Sequence, residues 1–99
     1  PQKNAQNELH MTTVIDGASV GLIIDRTFIG EDDSRWIIDY KTSSHAGADA
    51  DIFLDREQER YRAQLNRYAV MMSRIDTRPI KLGLYFPLLK GWREWAYEE

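Results

Sequence analysis

The sequence contains no cysteine among its 99 residues. This absence excludes disulfides, thiolate zinc sites, iron–sulfur clusters and cysteine nucleophiles. It also fits a reducing compartment, and we therefore expect a cytoplasmic protein. Any bound metal ion must be held by oxygen or imidazole ligands.

Long apolar runs and a positive net charge are lacking as well. Runs such as residues 22–24 are far too short to cross a bilayer, so no membrane association is expected. The formal net charge of −3 gives no support for sequence-independent binding to phosphates, which usually needs clustered Lys and Arg. Carboxylates around a divalent cation are locally neutralised, however, so this sum overstates the negative field at a metal site.

The length and composition indicate one small domain spanning residues 1–99, with 42% hydrophobic residues available for a single core. The chain begins with Pro1 rather than Met, and residues 1–7 have neither the basic start nor the apolar middle of a signal peptide. We therefore expect the chain to be a fragment of a longer protein.

The first half of the chain predicts a three-stranded antiparallel meander. Residues 9–15 and 18–29 are strand-like, and Asp16-Gly17 between them suits a two-residue turn, where both positions need positive φ. A charged loop at residues 30–34 precedes a third strand at 35–41. Strand two is apolar on both faces, with Leu22, Ile24 and Phe28 predicted on one and Ile23 and Ile29 on the other.

The second half predicts one amphipathic helix and two strands. Apolar and aromatic side chains recur at three- and four-residue steps within residues 55–75, namely Tyr61, Leu65, Tyr68, Ala69, Met72 and Ile75. Asp55 with Gln58 is predicted to cap the helix start, after a flexible link at residues 42–50, and Pro79 prevents continuation. A strand at 80–86, a turn at 87–91 and an edge strand at 92–97 follow.

The order strand, helix, strand implies a right-handed crossover that sets the strand at 80–86 parallel to the strand at 35–41. The predicted class is therefore α/β in the α+β sense, with a mixed sheet. The helix covers one face of this sheet. We expect the second face to be covered by a preceding helix of a longer protein, by a partner chain, or by a second copy in a homo-oligomer.

Asp25, Asp39 and Lys41 form the constellation that points to chemistry. Asp25 and Asp39 each lie seven residues from Asp32, so a symmetric hairpin sets them opposite one another, with Lys41 on the face of Asp39. Opposed carboxylates in an apolar sheet repel, and a hard cation such as Mg²⁺ or Mn²⁺ offsets this cost while binding phosphate oxygens. Alternatively, Asp39 and Lys41 form a surface ion pair and Asp25 simply neighbours Arg26.

Three segments carry a more specific pattern: G-L-I-I-D-R at 21–26, W-I-I-D-Y-K-T at 36–42 and Q-L-N-R-Y-A at 64–69. In this order and spacing they resemble three successive motifs of the RecB-like exonuclease family, part of the PD-(D/E)XK nuclease superfamily. The resemblance covers roughly residues 8–97. It implies a restriction-endonuclease-like core, lacking its first helix, and metal-dependent DNA cleavage.

The resemblance also implies roles for individual residues. Asp25, Asp39 and the backbone carbonyl of Tyr40 would be metal ligands, and Lys41 the catalytic lysine. Gln64 and Tyr68, four residues apart on one helical face, would position DNA or brace the site. A further ligand, often His or Glu, usually lies on a helix upstream of the first strand, which this sequence does not contain; Glu8 is the candidate nearest to that position.

Several other residues have ordinary structural interpretations. Tyr68 on an apolar stripe also suits core packing, and Tyr61, Met71 and Met72 are assigned to packing. His10 and His45 are interpreted as surface histidines. Four helix arginines form a basic face that could touch phosphates, although pairing with Glu57 and Glu59 is the commoner explanation: Arg56, Arg60, Arg62 and Arg67.

The expected function is a DNA exonuclease domain in recombinational repair of double-strand breaks, attached to a helicase in the same or a partner chain as in RecB/AddA-type helicase-nucleases. Lack of cysteine argues against the iron–sulfur branch of the family. Two alternatives stand beside this one. The chain could be a non-cutting DNA-binding or structural module of the same fold, or a small α/β protein-interaction domain with solvated acidic residues.

Overall fold

The computed structural model describes residues 3–43 and 49–98. It contains five strands, one α-helix and a short 3₁₀ helix at Pro87–Leu89. The strands are β1 (Lys3–Ile15), β2 (Ala18–Ile29), β3 (Arg35–Tyr40), β4 (Ile80–Phe86) and β5 (Gly91–Ala96), and the helix is α1 (Ala50–Ser73). His45 and most of the link predicted at 42–50 lie outside the described residues.

The five strands form one mixed sheet in sequence order. The pairs β1–β2, β2–β3 and β4–β5 are antiparallel, whereas β3 and β4 are parallel and joined through α1. This confirms the predicted meander, crossover helix and parallel strand. The class is α+β.

The turn predicted at Asp16-Gly17 is confirmed. Asp16 has φ of 51° and Gly17 of 80°, so both central residues occupy the left-handed region that a tight hairpin between right-twisted strands requires. Gly tolerates this conformation without cost and Asp tolerates it better than most residues. This short turn fixes the register between β1 and β2.

The helix begins at Ala50, five residues earlier than predicted. Asp49 is its cap, and its carboxylate accepts a hydrogen bond from the Ile52 backbone N–H at 3.1 Å. The predicted cap at Asp55 is therefore wrong: Asp55 lies inside the helix and pairs with Arg93 of β5 at 2.9 Å. Ile75, predicted on the apolar stripe, follows the helix end and is 70% exposed.

One face of the sheet packs against α1 and forms the core. Leu65, Ala69 and Met72 of the helix are fully buried against strand residues. Those strand residues are Ile24, Ile37, Ile80, Leu82, Leu84 and Phe86. Trp95 of β5 also reaches the helix, where its indole N–H donates to the Asn66 side chain at 3.2 Å. The packing predicted for Met71 and Met72 is confirmed, since both are buried.

The other face carries a continuous row of aromatic rings, which we call the aromatic face. Neighbouring ring centroids are 6.1 to 6.4 Å apart along the row Phe28, Trp36, Trp92, Tyr85 and Tyr40. Gly83 lies beneath Trp92, and a Cβ there would come within 2.3 Å of the indole ring. No helix of the described residues covers this face.

The predicted division of β2 between the two faces is partly wrong. Phe28 stacks on Trp36 in the aromatic face, apart from Ile24 in the core. Ile29 is buried opposite Arg35, and Ile23 is half exposed.

No helix among the described residues is sufficiently long and apolar to span a membrane.

Candidate metal and phosphate site

The register between β2 and β3 is the one that the sequence predicts. Arg26 pairs with Ile38, Thr27 with Ile37 and Phe28 with Trp36. One further step in the same register sets Asp25 opposite Asp39, just past the last ladder pair. The hairpin is therefore symmetric about Asp32, and the two carboxylates come from facing positions on neighbouring strands.

The alternation of faces along β2 shifts next to Asp25. Ile24 is buried in the core, and so is the side chain of Thr27, which lies opposite the core residue Ile37. Ile24 and Thr27 are three positions apart, whereas a regular strand would set residues at that spacing on opposite faces. On the facing part of β1, Glu8 has a positive φ of 56°. This local irregularity carries the Asp25 carboxylate to the end of β3, where it accepts a hydrogen bond from the Tyr40 backbone N–H at 2.9 Å.

Asp39 is buried, with 7% of its surface exposed. Burial raises its pKa, because a charged carboxylate is poorly solvated there; the Lys41 ammonium opposes this effect, and the nearby Asp25 carboxyl adds to it, so that the pKa is raised overall. Its Oδ2 atom is buried without a hydrogen bond of standard geometry from the described residues. The group that approaches this oxygen is the Lys41 ammonium, in an ion pair.

Lys41 lies between Asp39 and the helix. Its Nζ is 2.8 Å from Asp39 Oδ2 and 3.7 Å from the centroid of the Tyr61 ring. Its backbone N–H donates to the Tyr85 carbonyl at 2.9 Å, which continues the β3–β4 pairing past Tyr40. The ion pair of Asp39 with Lys41 exists, as the simpler interpretation of the sequence requires, but both side chains are largely buried, at 10% and 19% exposure, rather than on the surface.

Gln64 and Tyr68 are brought together on α1. The Gln64 amide donates to the Tyr68 hydroxyl at 2.7 Å, so the partly buried amide finds its partner within the helix. Tyr68 packs against the core and also borders a cavity with His10 and Met11. The hydrogen bond to Tyr68 therefore satisfies the Gln64 amide, and no bound ligand is needed as its partner.

Glu8 shares a cavity of about 460 Å³ with Asn7, Asp25, Arg26 and Tyr40. His10 is exposed, in agreement with a surface histidine. Among residues 3–43 and 49–98, no group of three or more acidic or histidine side chains is close enough to hold a metal ion. The carboxylates that the structure brings together at the end of β3 are those of Asp25 and Asp39.

Two of the four helix arginines form the intrahelical pairs expected with Glu57 and Glu59. Arg62 bonds Glu59 at 2.9 Å, and Arg60 lies 3.7 Å from Glu57. The packing predicted for Tyr61 is confirmed, since its ring is partly buried against the core. The sequence did not reveal its second contact, with the Lys41 ammonium; the signal for it is the position of Tyr61 seven residues before Tyr68, on the same helical stripe.

A scan against models of known protein families found no match for this sequence, and a search of curated proteins found none either.

Proposed function

We propose that the chain is the nuclease core of a RecB-like PD-(D/E)XK domain, a metal-dependent DNA exonuclease. The observation that carries this proposal is the convergence of Asp25, Asp39 and Lys41 at the end of β3, with Asp39 and Lys41 both largely buried. A buried carboxylate beside an ammonium, with a second carboxylate close by, is costly in a structural role and suits a site that receives a cation and a phosphate. The motif resemblance supports the same chemistry.

The donor set fits Mg²⁺ or Mn²⁺. The Asp25 and Asp39 carboxylates and the Tyr40 carbonyl would hold the ion, with Glu8 as a further candidate, and substrate phosphate would complete the ligands. The fit rests on the buried Asp39 carboxylate, whose pKa stays raised because the Lys41 ammonium 2.8 Å from Oδ2 does not fully offset its burial. A bound cation supplies Lewis-acid activation of the phosphodiester and lowers the pKa of an attacking water.

The protein's own groups would act on the phosphate. Lys41 carries a charge that stabilises negative charge developing on the phosphoryl oxygens, and it helps orient the attacking water. The Asp39 carboxylate holds this ammonium at 2.8 Å before substrate arrives. Asp25, fixed by the Tyr40 backbone N–H at 2.9 Å, keeps its carboxylate in place on the other side. Gln64 and Tyr68 would brace the helix above the site or position DNA.

The wider setting is proposed on the resemblance alone. We infer a cytoplasmic role in recombinational repair of DNA double-strand breaks, with a helicase domain in the same or a partner chain. The aromatic face would then be covered by another part of a longer protein, by a partner chain or by a second copy.

Degradation of end-labelled linear DNA tests the proposal. We expect release of labelled nucleotides with Mg²⁺ or Mn²⁺, complete inhibition by EDTA, and loss of at least about a hundredfold in rate for Asp39→Asn. Glu31→Gln, a change at an exposed loop carboxylate, is the matched control and should keep full activity. A covalently closed circular substrate separates exonucleolytic from endonucleolytic cutting.

Two results would overturn the proposal. Equal rates for wild type and Asp39→Asn would remove Asp39 from the mechanism. Absence of cutting with either ion, together with no effect of the ions on thermal stability, would favour a non-cutting module of the same fold.

A further inference from the structure

We infer that Tyr61 is a positioning residue for Lys41, holding its ammonium group by a cation–π contact in the place where it meets the phosphate. This inference rests on the proposed nuclease function and deepens it. The observation is the 3.7 Å distance from Lys41 Nζ to the centroid of the Tyr61 ring. That distance is well inside the range of about 6 Å within which the ring face attracts a cation.

The site needs such a contact because Lys41 has a long, flexible side chain. A four-carbon stem gives the ammonium many rotamers, and each wrong one removes positive charge from the phosphate. Two groups restrict it: the Asp39 carboxylate at 2.8 Å and the Tyr61 ring at 3.7 Å. The side chain of Lys41 is only 19% exposed, so water competes weakly with the ring.

The two restraints respond differently when the site is loaded. If Asp39 held a divalent cation, its carboxylate would have less negative charge to offer the neighbouring Lys41 ammonium, and their ion pair would weaken. The quadrupole of the Tyr61 ring is unchanged by that event. The ring would therefore hold Lys41 near the site whether or not the cation is bound.

The phenol hydroxyl is not needed for this role. The attraction comes from the face of the ring, which Phe shares with Tyr. A second cation, the Arg60 guanidinium, lies 5.2 Å from the same ring, but its side chain is 68% exposed and the distance is longer. Lys41 is thus the cation that the ring holds most closely.

Core packing alone is the competing explanation, because Tyr61 also packs partly buried against the core. Packing and positioning make different demands on a substitution. Tyr61→Leu and Tyr61→Met keep an apolar side chain but remove the ring face, whereas Tyr61→Phe keeps both. A role in positioning requires that Tyr61→Phe keeps the contact with Lys41 and the activity that depends on it, and that Tyr61→Leu and Tyr61→Met lose both.

The first measurement is independent of nuclease activity. In the chain with ¹³C-labelled lysine, the ε-methylene resonance of Lys41, assigned through Lys41→Arg, should be shifted upfield by the ring current of Tyr61. We expect Tyr61→Phe to keep this shift and Tyr61→Leu and Tyr61→Met to abolish it. Lys81, whose ammonium lies 5.5 Å from the Trp36 ring, is the internal control and should not move in any variant.

The second measurement is steady-state DNA cleavage with Mg²⁺. We expect Tyr61→Phe to retain the wild-type kcat, and Tyr61→Leu and Tyr61→Met to lose about tenfold in kcat with little change in KM, as for an interaction of cation–π strength at a largely buried site. The melting temperatures of all three variants show whether packing has changed.

The outcomes are distinguishable. An unshifted Lys41 resonance in the wild type, or a shift that survives in Tyr61→Leu, would overturn the contact itself. Equal kcat for wild type and Tyr61→Leu, or a fall of Tyr61→Phe to the level of Tyr61→Leu, would overturn the positioning role. Failure of the wild type to cut DNA would overturn the proposed function and the catalytic part of this inference, while the ring-current shift would still establish the contact.

Discussion

Replacing Asp39 by asparagine should make the chain more stable in the absence of divalent cations, although it removes the proposed activity. Asn has nearly the same shape as Asp but carries no charge to desolvate. The cost of burying the Asp39 carboxylate exceeds what the Lys41 ammonium, 2.8 Å from Oδ2, returns, because the pKa of Asp39 is raised overall although both side chains are largely buried. The net gain of about 1 kcal/mol corresponds to a rise of about 4–8 °C in melting temperature for a domain of this size.

The pH dependence of this gain has a defined sign. Because burial raises the pKa of Asp39 above its ordinary value of 3.8, the native state binds this proton more readily than the unfolded chain. The stability that protonation contributes is present at low pH and is lost as the pH rises from 3.8 through the raised pKa of Asp39. The difference in stability between Asp39→Asn and wild type should therefore grow across that window and remain constant above it.

Thermal unfolding followed by circular dichroism, in EDTA and at several pH values, checks both statements. Adding Mg²⁺ at about 100 times its dissociation constant should then raise wild-type stability by about 2.7 kcal/mol and leave Asp39→Asn unchanged. A variant less stable than wild type in EDTA, or a stability difference that does not vary with pH, would refute the reasoning about a strained Asp39 carboxylate.

Three further predictions concern the scaffold. Gly83→Ala should lower the free energy of unfolding in urea by about 1–3 kcal/mol, because the new Cβ would clash with the Trp92 ring. Gly21→Ala is the control and should be almost neutral, since the nearest atom to its Cβ is 3.8 Å away; equal losses for the two variants would contradict the prediction. Asp49→Ala should lose about 1 kcal/mol by removing the helix cap, measured in the same assay, and no loss would place the cap elsewhere. Asp76→Asn should lose about 1–3 kcal/mol of unfolding free energy at neutral pH, and its stability should vary less below pH 4 than that of the wild type. An acid dependence equal to that of the wild type would contradict the prediction.

The sign of the Asp76 prediction follows from its surroundings. Burial would by itself raise the pKa of Asp76, but hydrogen bonds from the Arg78 backbone N–H and from the Arg35 and Arg78 guanidinium groups outweigh it and hold the pKa below its usual value. The resulting stability is present above the ordinary pKa of 3.8 and is lost as the pH falls through the lowered one. Asn accepts fewer of these charged hydrogen bonds.

Local chemistry explains which features the sequence predicted well. The Asp16-Gly17 pair requires a tight turn, and Pro79 prevents helix continuation, so β2 and β4 have the bounds expected from the sequence, Ala18–Ile29 and Ile80–Phe86. The position of the helix start was not predictable in the same way, because Asp49 and Asp55 both carry a carboxylate that can cap. Burial of Leu54 beside Gly91 of β5 extends the helix to the earlier site.

The sequence by itself determined the β2–β3 register, and with it the facing positions of Asp25 and Asp39, because a strand has a period of two and the loop between these strands fixes its centre at Asp32. Only the tertiary structure decided that the pKa of Asp39 is raised and where the Lys41 ammonium lies. Those properties depend on the packing of Tyr61 from α1 over the end of β3 and on the exclusion of water from Asp39, and both arise between segments distant in the chain.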